Sequence, residues 1–161
     1  MIQHKVLTKR FDKIIPICIE DYIMQDGYSM FLKALHMEPE DIIEEITLSR
    51  ITGRGGANFP TSIKMKSFAK ETGTKYIICN ADEGEPGNFK DRYMLEKDPH
   101  QIVEGMLISA YATGAQKGYI YIRGEYSKAI KRMNQVIETA REHNFLGESI
   151  CNTEMSFDIE V

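Results

Sequence analysis

Lys75-Tyr76-Ile77-Ile78-Cys79-Asn80-Ala81-Asp82-Glu83-Gly84-Glu85-Pro86-Gly87-Asn88 changes character at its midpoint. The first half is a short, continuous apolar run between turn signals. It predicts a strand buried on both faces, as in a parallel sheet. The second half is polar. Glu85-Pro86-Gly87-Asn88 has proline at the second and glycine at the third position of a type II turn. In open α/β sheets ligands gather beyond the carboxyl ends of strands. One amide and three carboxylates (Asn80, Asp82, Glu83 and Glu85) stand at such an end. Three uses are open to them: a solvated turn, a hard-cation site of oxygen ligands, or acceptors for the sugar hydroxyls and ring N–H groups of a cofactor.

Upstream lies a second unusual stretch, Gly53-Arg54-Gly55-Gly56-Ala57-Asn58-Phe59-Pro60-Thr61. Closely spaced glycines allow positive φ and close approach of a ligand to the backbone. Successive N–H groups turned inward before a helix make an anion-binding concavity. A plain surface turn accounts for the same residues equally well. The loop follows a helical pattern rather than a strand, and Asn58 stands where G-x-G-x-x-G needs its third glycine. A Rossmann fingerprint is therefore disfavoured, and no G-x-x-x-x-G-K-[ST] is present. The helix after Pro60 is predicted to reach about Glu71. It carries Lys64 one turn from the glycines, where an ammonium either neutralises a phosphate or belongs to a solvated, lysine-rich face. Before the loop, residues 1–20 read as an extended lead-in. Residues 21–49 read as two or three short helices, with Ile42, Ile43 and Ile46 on one face.

Downstream, Lys90–Glu96 is a short helix. Asp98-Pro99-His100-Gln101 then predicts a helix start with Asp98 as N-cap, Pro99 at the first position and His100 on the surface. Its apolar stripe is Ile102, Val103, Met106, Leu107, Ala110 and Tyr111, and Gly114 ends it. Gly118–Arg123 is a second strand. Ser127 is placed to cap a last helix with a stripe from Ala129 to Ala140. Met155–Val161 alternates as a strand with one buried face. The pattern is unfinished at Val161, so further chain is expected beyond it. The element order predicts a small α/β sandwich with a partly parallel sheet, preceded by short helices and incomplete at the C-terminus. Residues 1–50 form the packed lead-in and 51–161 the α/β portion.

The 161 residues suit one domain, with 42% apolar and 27% charged residues and a net charge of −4. That balance, without a basic stripe, argues against nucleic acid. No apolar run is long enough for a membrane span. Cys18, Cys79 and Cys151 lie far apart without C-x-x-C, which predicts reduced thiols in a cytoplasmic protein and no metal site. Cys79 is expected to be a small buried side chain rather than a nucleophile.

Gly53–Thr61 and Asn80–Arg92, with Pro99-His100, Glu104-Gly105-Met106 and Gly118–Tyr126, resemble the 51-kDa, NADH-oxidising flavoprotein subunit of respiratory complex I. They are equally similar to the matching subunits of NAD-linked hydrogenases and formate dehydrogenases. The resemblance covers nearly the whole chain from about residue 12. It implies hydride transfer from NADH to FMN and onward single-electron transfer to iron–sulfur clusters. It further implies that Gly53, Gly55, Gly56 and Lys64 line the FMN and NADH cavity, and that Asn80, Asp82 and Glu83 bond FMN. Phe59 would stack on the adenine of NADH, and Glu85 would lie near the nicotinamide. Glu83 and Glu85 are the candidate catalytic groups. The implied partner is a 24-kDa-like, thioredoxin-fold iron–sulfur subunit. The chain departs from the family pattern at Asn58 and Ser62, which replace glycines, and at Met65, which replaces tryptophan. The family's second glycine block and its cluster cysteines are absent. The resemblance therefore implies an N-terminal part, inactive alone. The alternative is a truncated, degenerate module for binding or assembly.

Overall fold

The computed structural model describes residues 4–161. Three strands, β1 (Tyr76–Ala81), β2 (Lys117–Ile122) and β3 (Asp158–Glu160), form a sheet in the order β1-β2-β3. Both pairings are parallel; Tyr76 lies opposite Lys117 and Ala81 opposite Ile122. Among the described residues, seven α-helices accompany the sheet: α1 (Ile19–Met24), α2 (Ser29–Ala34), α3 (Pro39–Ser49), α4 (Thr61–Ala69), α5 (Lys90–Lys97), α6 (Pro99–Thr113) and α7 (Ser127–Glu142). This is the predicted small α/β arrangement with parallel strands and short leading helices. Parallel neighbours need a crossover. α5 and α6 provide it between β1 and β2, and α7 between β2 and β3.

α6 is the central helix. Val103, Met106, Leu107 and Ala110 are buried along its predicted stripe, and they join Ile120 and Ile159 from the sheet, with Phe157 just before β3, in one core. α7 buries Ala129, Met133, Val136, Ile137 and Ala140 in the same core. Helix and sheet approach closely at Gly118. A Cβ there would stand 2.7 Å from Met106 Cε and 2.7 Å from Phe157 Cζ, so any larger residue forces these side chains to shift. Gly114 ends α6 in the left-handed region, as its position predicted. Lys75 ties two helix ends together: its Nζ donates to Ala69 O of α4 at 2.8 Å and to Thr113 O of α6 at 2.9 Å.

Five sequence expectations are corrected. β1 is not buried on both faces. Its Tyr76 and Ile78 are exposed, together with Tyr119 and Tyr121 of β2, because the helices cover only the opposite face. Aromatic and β-branched residues on an open face produce the same unbroken apolar run as a doubly covered strand. The described part of the lead-in is not extended. Successive turns, such as Lys13 N to Arg10 O at 3.0 Å, fold it back and bury Arg10 and Ile14.

Asp98 precedes α6 but makes no side-chain cap. Its carboxylate is instead paired with Arg10 Nε at 2.8 Å. His100 is fully buried rather than on the surface; its Nδ1 lies 2.9 Å from Tyr28 Oη. Tyr22 Oη donates to Glu104 Oε2 at 2.5 Å, and Phe31 N to Glu104 Oε1 at 3.2 Å. The lead-in and α1–α2 thus seat on the first turns of α6 through buried polar contacts, which turns an apparent surface cap into an interior junction. Likewise, Ser127 is the first residue of α7 and makes no side-chain cap.

Candidate functional site

The glycine loop is pinched at its base. Thr52 pairs with Pro60 in an antiparallel bridge, Gly53 N donates to Phe59 O at 2.8 Å, and Thr61 N donates to Ile51 O at 3.0 Å. Between these contacts residues 53–57 arch into the open. Gly56 takes φ +103 and Asn58 takes φ +51, a region that asparagine tolerates better than most side chains. A Cβ added at Gly55 or Gly56 meets nothing within 4 Å. The arch therefore presents bare backbone to open space and leads directly into the N-terminus of α4. Arg54 is folded back across it. Its Nη1 donates to Thr52 O at 3.0 Å and to Thr52 Oγ1 at 2.6 Å.

The facing wall is the loop between β1 and α5. Glu85-Pro86-Gly87-Asn88 forms the predicted turn, with Gly87 at φ +85 and Asn88 N donating to Glu85 O at 3.2 Å. Asn80 Oδ1 accepts the N–H of Asp82 at 3.0 Å, leaving its amide nitrogen as a donor. Asp82 and Glu85 are exposed.

Glu83 differs from both, being only 2% exposed. Its carboxylate accepts the N–H groups of Asp91 at 3.0 Å and Arg92 at 3.3 Å, at the start of α5. Tyr126 Oη lies 3.4 Å from it and Lys90 Nζ 3.9 Å from it. Burial, the largest single influence, pushes the Glu83 pKa up. The α5 N–H donors and the Lys90 charge outweigh it and leave the group below the ordinary glutamate value. Glu83 O also accepts Arg123 Nη1 at 2.8 Å, which joins the loop to the end of β2.

The two walls enclose a cavity of about 630 Å³ at the carboxyl end of β1. It is lined by Gly55, Gly56, Asn80, Asp82, Glu83 and Glu85 from the predicted set. Arg54, Asn88, Lys90 and Asp91 complete it. Two cations therefore face four carboxylates. Gly53 stands at the base of the loop. Phe59 and Lys64 line a neighbouring groove of about 430 Å³ on α4, with Phe68 and Glu71.

Sequence reading missed Lys90, Asp91, Phe68 and the Arg123–Tyr126 support of Glu83. The helical spacing of Lys64 and Phe68 was a usable signal for the groove. So was the position of Arg123 at the end of a strand parallel to β1. The half-buried Cys79 is screened from this chemistry, since burial pushes its thiol up to about 11. Among the described residues, no group of three or more His, Cys, Asp or Glu side chains is placed to hold a metal ion, and no helix is long and apolar enough to cross a membrane.

Comparison with known proteins adds three findings. Residues 46–161 match the family described as the Nuo51 FMN-binding domain, a span that includes every candidate site residue. A subunit of the NADH-quinone oxidoreductase of Aquifex aeolicus is 46% identical over 97% of the chain and 36% of its own length. The HndC subunit of the NADP-reducing hydrogenase of Solidesulfovibrio fructosivorans is 45% identical over 99% of the chain and 32% of its own length. The chain thus spans about a third of the curated relatives it matches. Among solved structures, NAD+-reducing [NiFe]-hydrogenase in the air-oxidized state superposes with a TM-score of 0.69 at 31% identity, over 98% of the chain and 24% of that chain.

Proposed function

The chain belongs to the Nuo51 FMN-binding domain family, and from that premise we propose that its cavity holds FMN in a flavoprotein subunit that oxidises NADH. The observation that carries the proposal is the bare glycine arch set opposite the Asn80–Glu85 loop across about 630 Å³. Small-molecule sites commonly have volumes of roughly 300–1,000 Å³, and the donor set fits a phosphorylated flavin. Backbone N–H groups of Gly55 and Gly56, next to the positive end of α4, suit a phosphate. The Asn80 amide and the Asp82 carboxylate suit ribityl hydroxyls and ring N–H groups. FMN, when bound, accepts a hydride from NADH and releases electrons singly.

The remaining assignments follow the same division. Glu85, exposed at the cavity rim, faces the nicotinamide half. The groove of Phe59 and Lys64 takes the adenine side, by stacking and by charge. Glu83 acts by fixing the acidic loop to α5 and keeping its carboxylate ionised near the flavin. Residues 51–161 carry this site, and residues up to 50 brace α6 and α4. Electrons then pass to iron–sulfur clusters and a 24-kDa-like, thioredoxin-fold partner; the relatives' names as subunits support such an assembly. The arch, Asp82 and Glu85 are all exposed, so FMN on this chain alone exchanges readily and NADH turnover is not sustained.

Titrating FMN against the chain and following flavin fluorescence tests the site. Saturable quenching is expected, weakened at least about tenfold by Gly56→Val, which puts a branched side chain at φ +103 and into the arch. Quenching that never saturates, or that Gly56→Val leaves unchanged, would refute the assignment.

A further inference from the structure

Asn58 takes φ +51 in the glycine loop, and its side chain is engaged rather than idle. Thr52 Oγ1 donates to Asn58 Oδ1. Thr52 Oγ1 also accepts Arg54 Nη1 at 2.6 Å, and Arg54 Nη1 reaches Asn58 Oδ1 at 3.5 Å and Thr52 O at 3.0 Å. Donors and acceptors balance around this ring: the hydroxyl gives its proton to the amide oxygen and takes one from the guanidinium. Arg54 is the one long side chain in Gly53-Arg54-Gly55-Gly56-Ala57, and it lines a cavity carrying four carboxylates. Released from Thr52 and Asn58, its cation would be drawn toward Asp82, Glu85 and Asp91 across the space the ligand needs.

We propose that Asn58 is a positioning residue for the cofactor loop: with Thr52 it latches Arg54 to the loop's base, holding the arch open and the cation at the rim. A glycine at 58 supplies the positive φ but not the acceptor; asparagine supplies both. The effect on FMN rests on the flavin reading above, whereas the latch itself is a property of the free chain.

The test therefore has two arms on the full chain. In the first, trypsin cleaves after Arg54 only when the guanidinium leaves the latch, so cleavage reads local opening. Asn58→Gly is expected to speed that cut about fivefold, as loss of one ordinary side-chain hydrogen bond implies. Asn58→Asp keeps an acceptor and tolerates the same φ, and it is expected to remain at the wild-type rate. Equal rates for wild type and Asn58→Gly, or equally fast cutting of both variants, overturn the latch.

In the second arm, the FMN dissociation constant is expected to rise about fivefold in Asn58→Gly. Unchanged FMN affinity in a variant that trypsin opens overturns the positioning role. If no form binds FMN while the cleavage pattern holds, the flavin reading falls and the latch stands.

Discussion

Glu83 and His100 show how burial redirects a side chain that looks solvated in sequence. Glu83 completes the first turn of α5, where two N–H groups and the helix dipole favour its charge. Glu83→Gln is expected to cost about 2 kcal/mol in urea unfolding, with an unchanged denaturant slope. A loss below a few tenths would deny the clasp. His100 titrates near 4 in the folded chain against 6.5 ordinarily, because burial disfavours the imidazolium. The Ile17 carbonyl and Glu20 pull the value up and His143 pulls it down, but burial dominates. Between pH 6.5 and 4 the unfolded chain therefore binds more protons. The stability contributed by the neutral ring is whole above pH 6.5 and lost as pH falls toward 4, by about 3 kcal/mol. Unfolding measured across that window should show a shallower slope for His100→Gln than for the parent; parallel slopes would contradict the linkage. Neither burial was legible in sequence. Asp98-Pro99-His100-Gln101 satisfies every local rule for an exposed helix start. Only Arg10, 88 residues away, reveals that Asp98 is spent elsewhere.

Elements were legible where a period carried them. The stripes of α6 and α7 follow from 3.6-residue spacing, and the parallel strands follow from apolar runs separated by those helices. Gly118 shows where that reading stops: its crowding comes from Met106 of α6 and from Phe157 just before β3, both remote in sequence. Gly118→Ala is expected to cost about 2 kcal/mol by overpacking the seam between α6 and the sheet. Thermal unfolding within error of the parent would show that the seam yields. Lys75 was read only as the edge of a strand, yet it caps α4 and α6 together. Lys75→Met keeps the stem and removes both bonds, and a loss of about 1 kcal/mol in chemical unfolding is expected.

Across the whole molecule, one face of the sheet is packed and the other is open. Ile78 is 68% exposed while Ile120, one strand over on the opposite face, is 2% exposed. Ile78→Thr should stay within about 0.5 kcal/mol of the parent, whereas Ile120→Ala should cost about 3 kcal/mol. Equal losses would mean that both faces are covered. An apolar run cannot separate these cases, because exposed tyrosines and isoleucine read as core. The cavity was more legible than the faces. Two loops distant in sequence each carried a polar or glycine signature at an element end, and the fold brings both to the carboxyl end of β1. What sequence could not supply was the latch on Arg54 and the internal duty of Glu83, since both depend on distances across loops. The central claim is that these two loops together hold FMN. Backbone amide chemical shifts recorded as FMN is added test it most directly. The account predicts saturable shifts concentrated at Gly55, Gly56 and Asn80–Glu85, with the open sheet face of Tyr76 and Tyr121 unmoved; shifts centred elsewhere, or none, would contradict it.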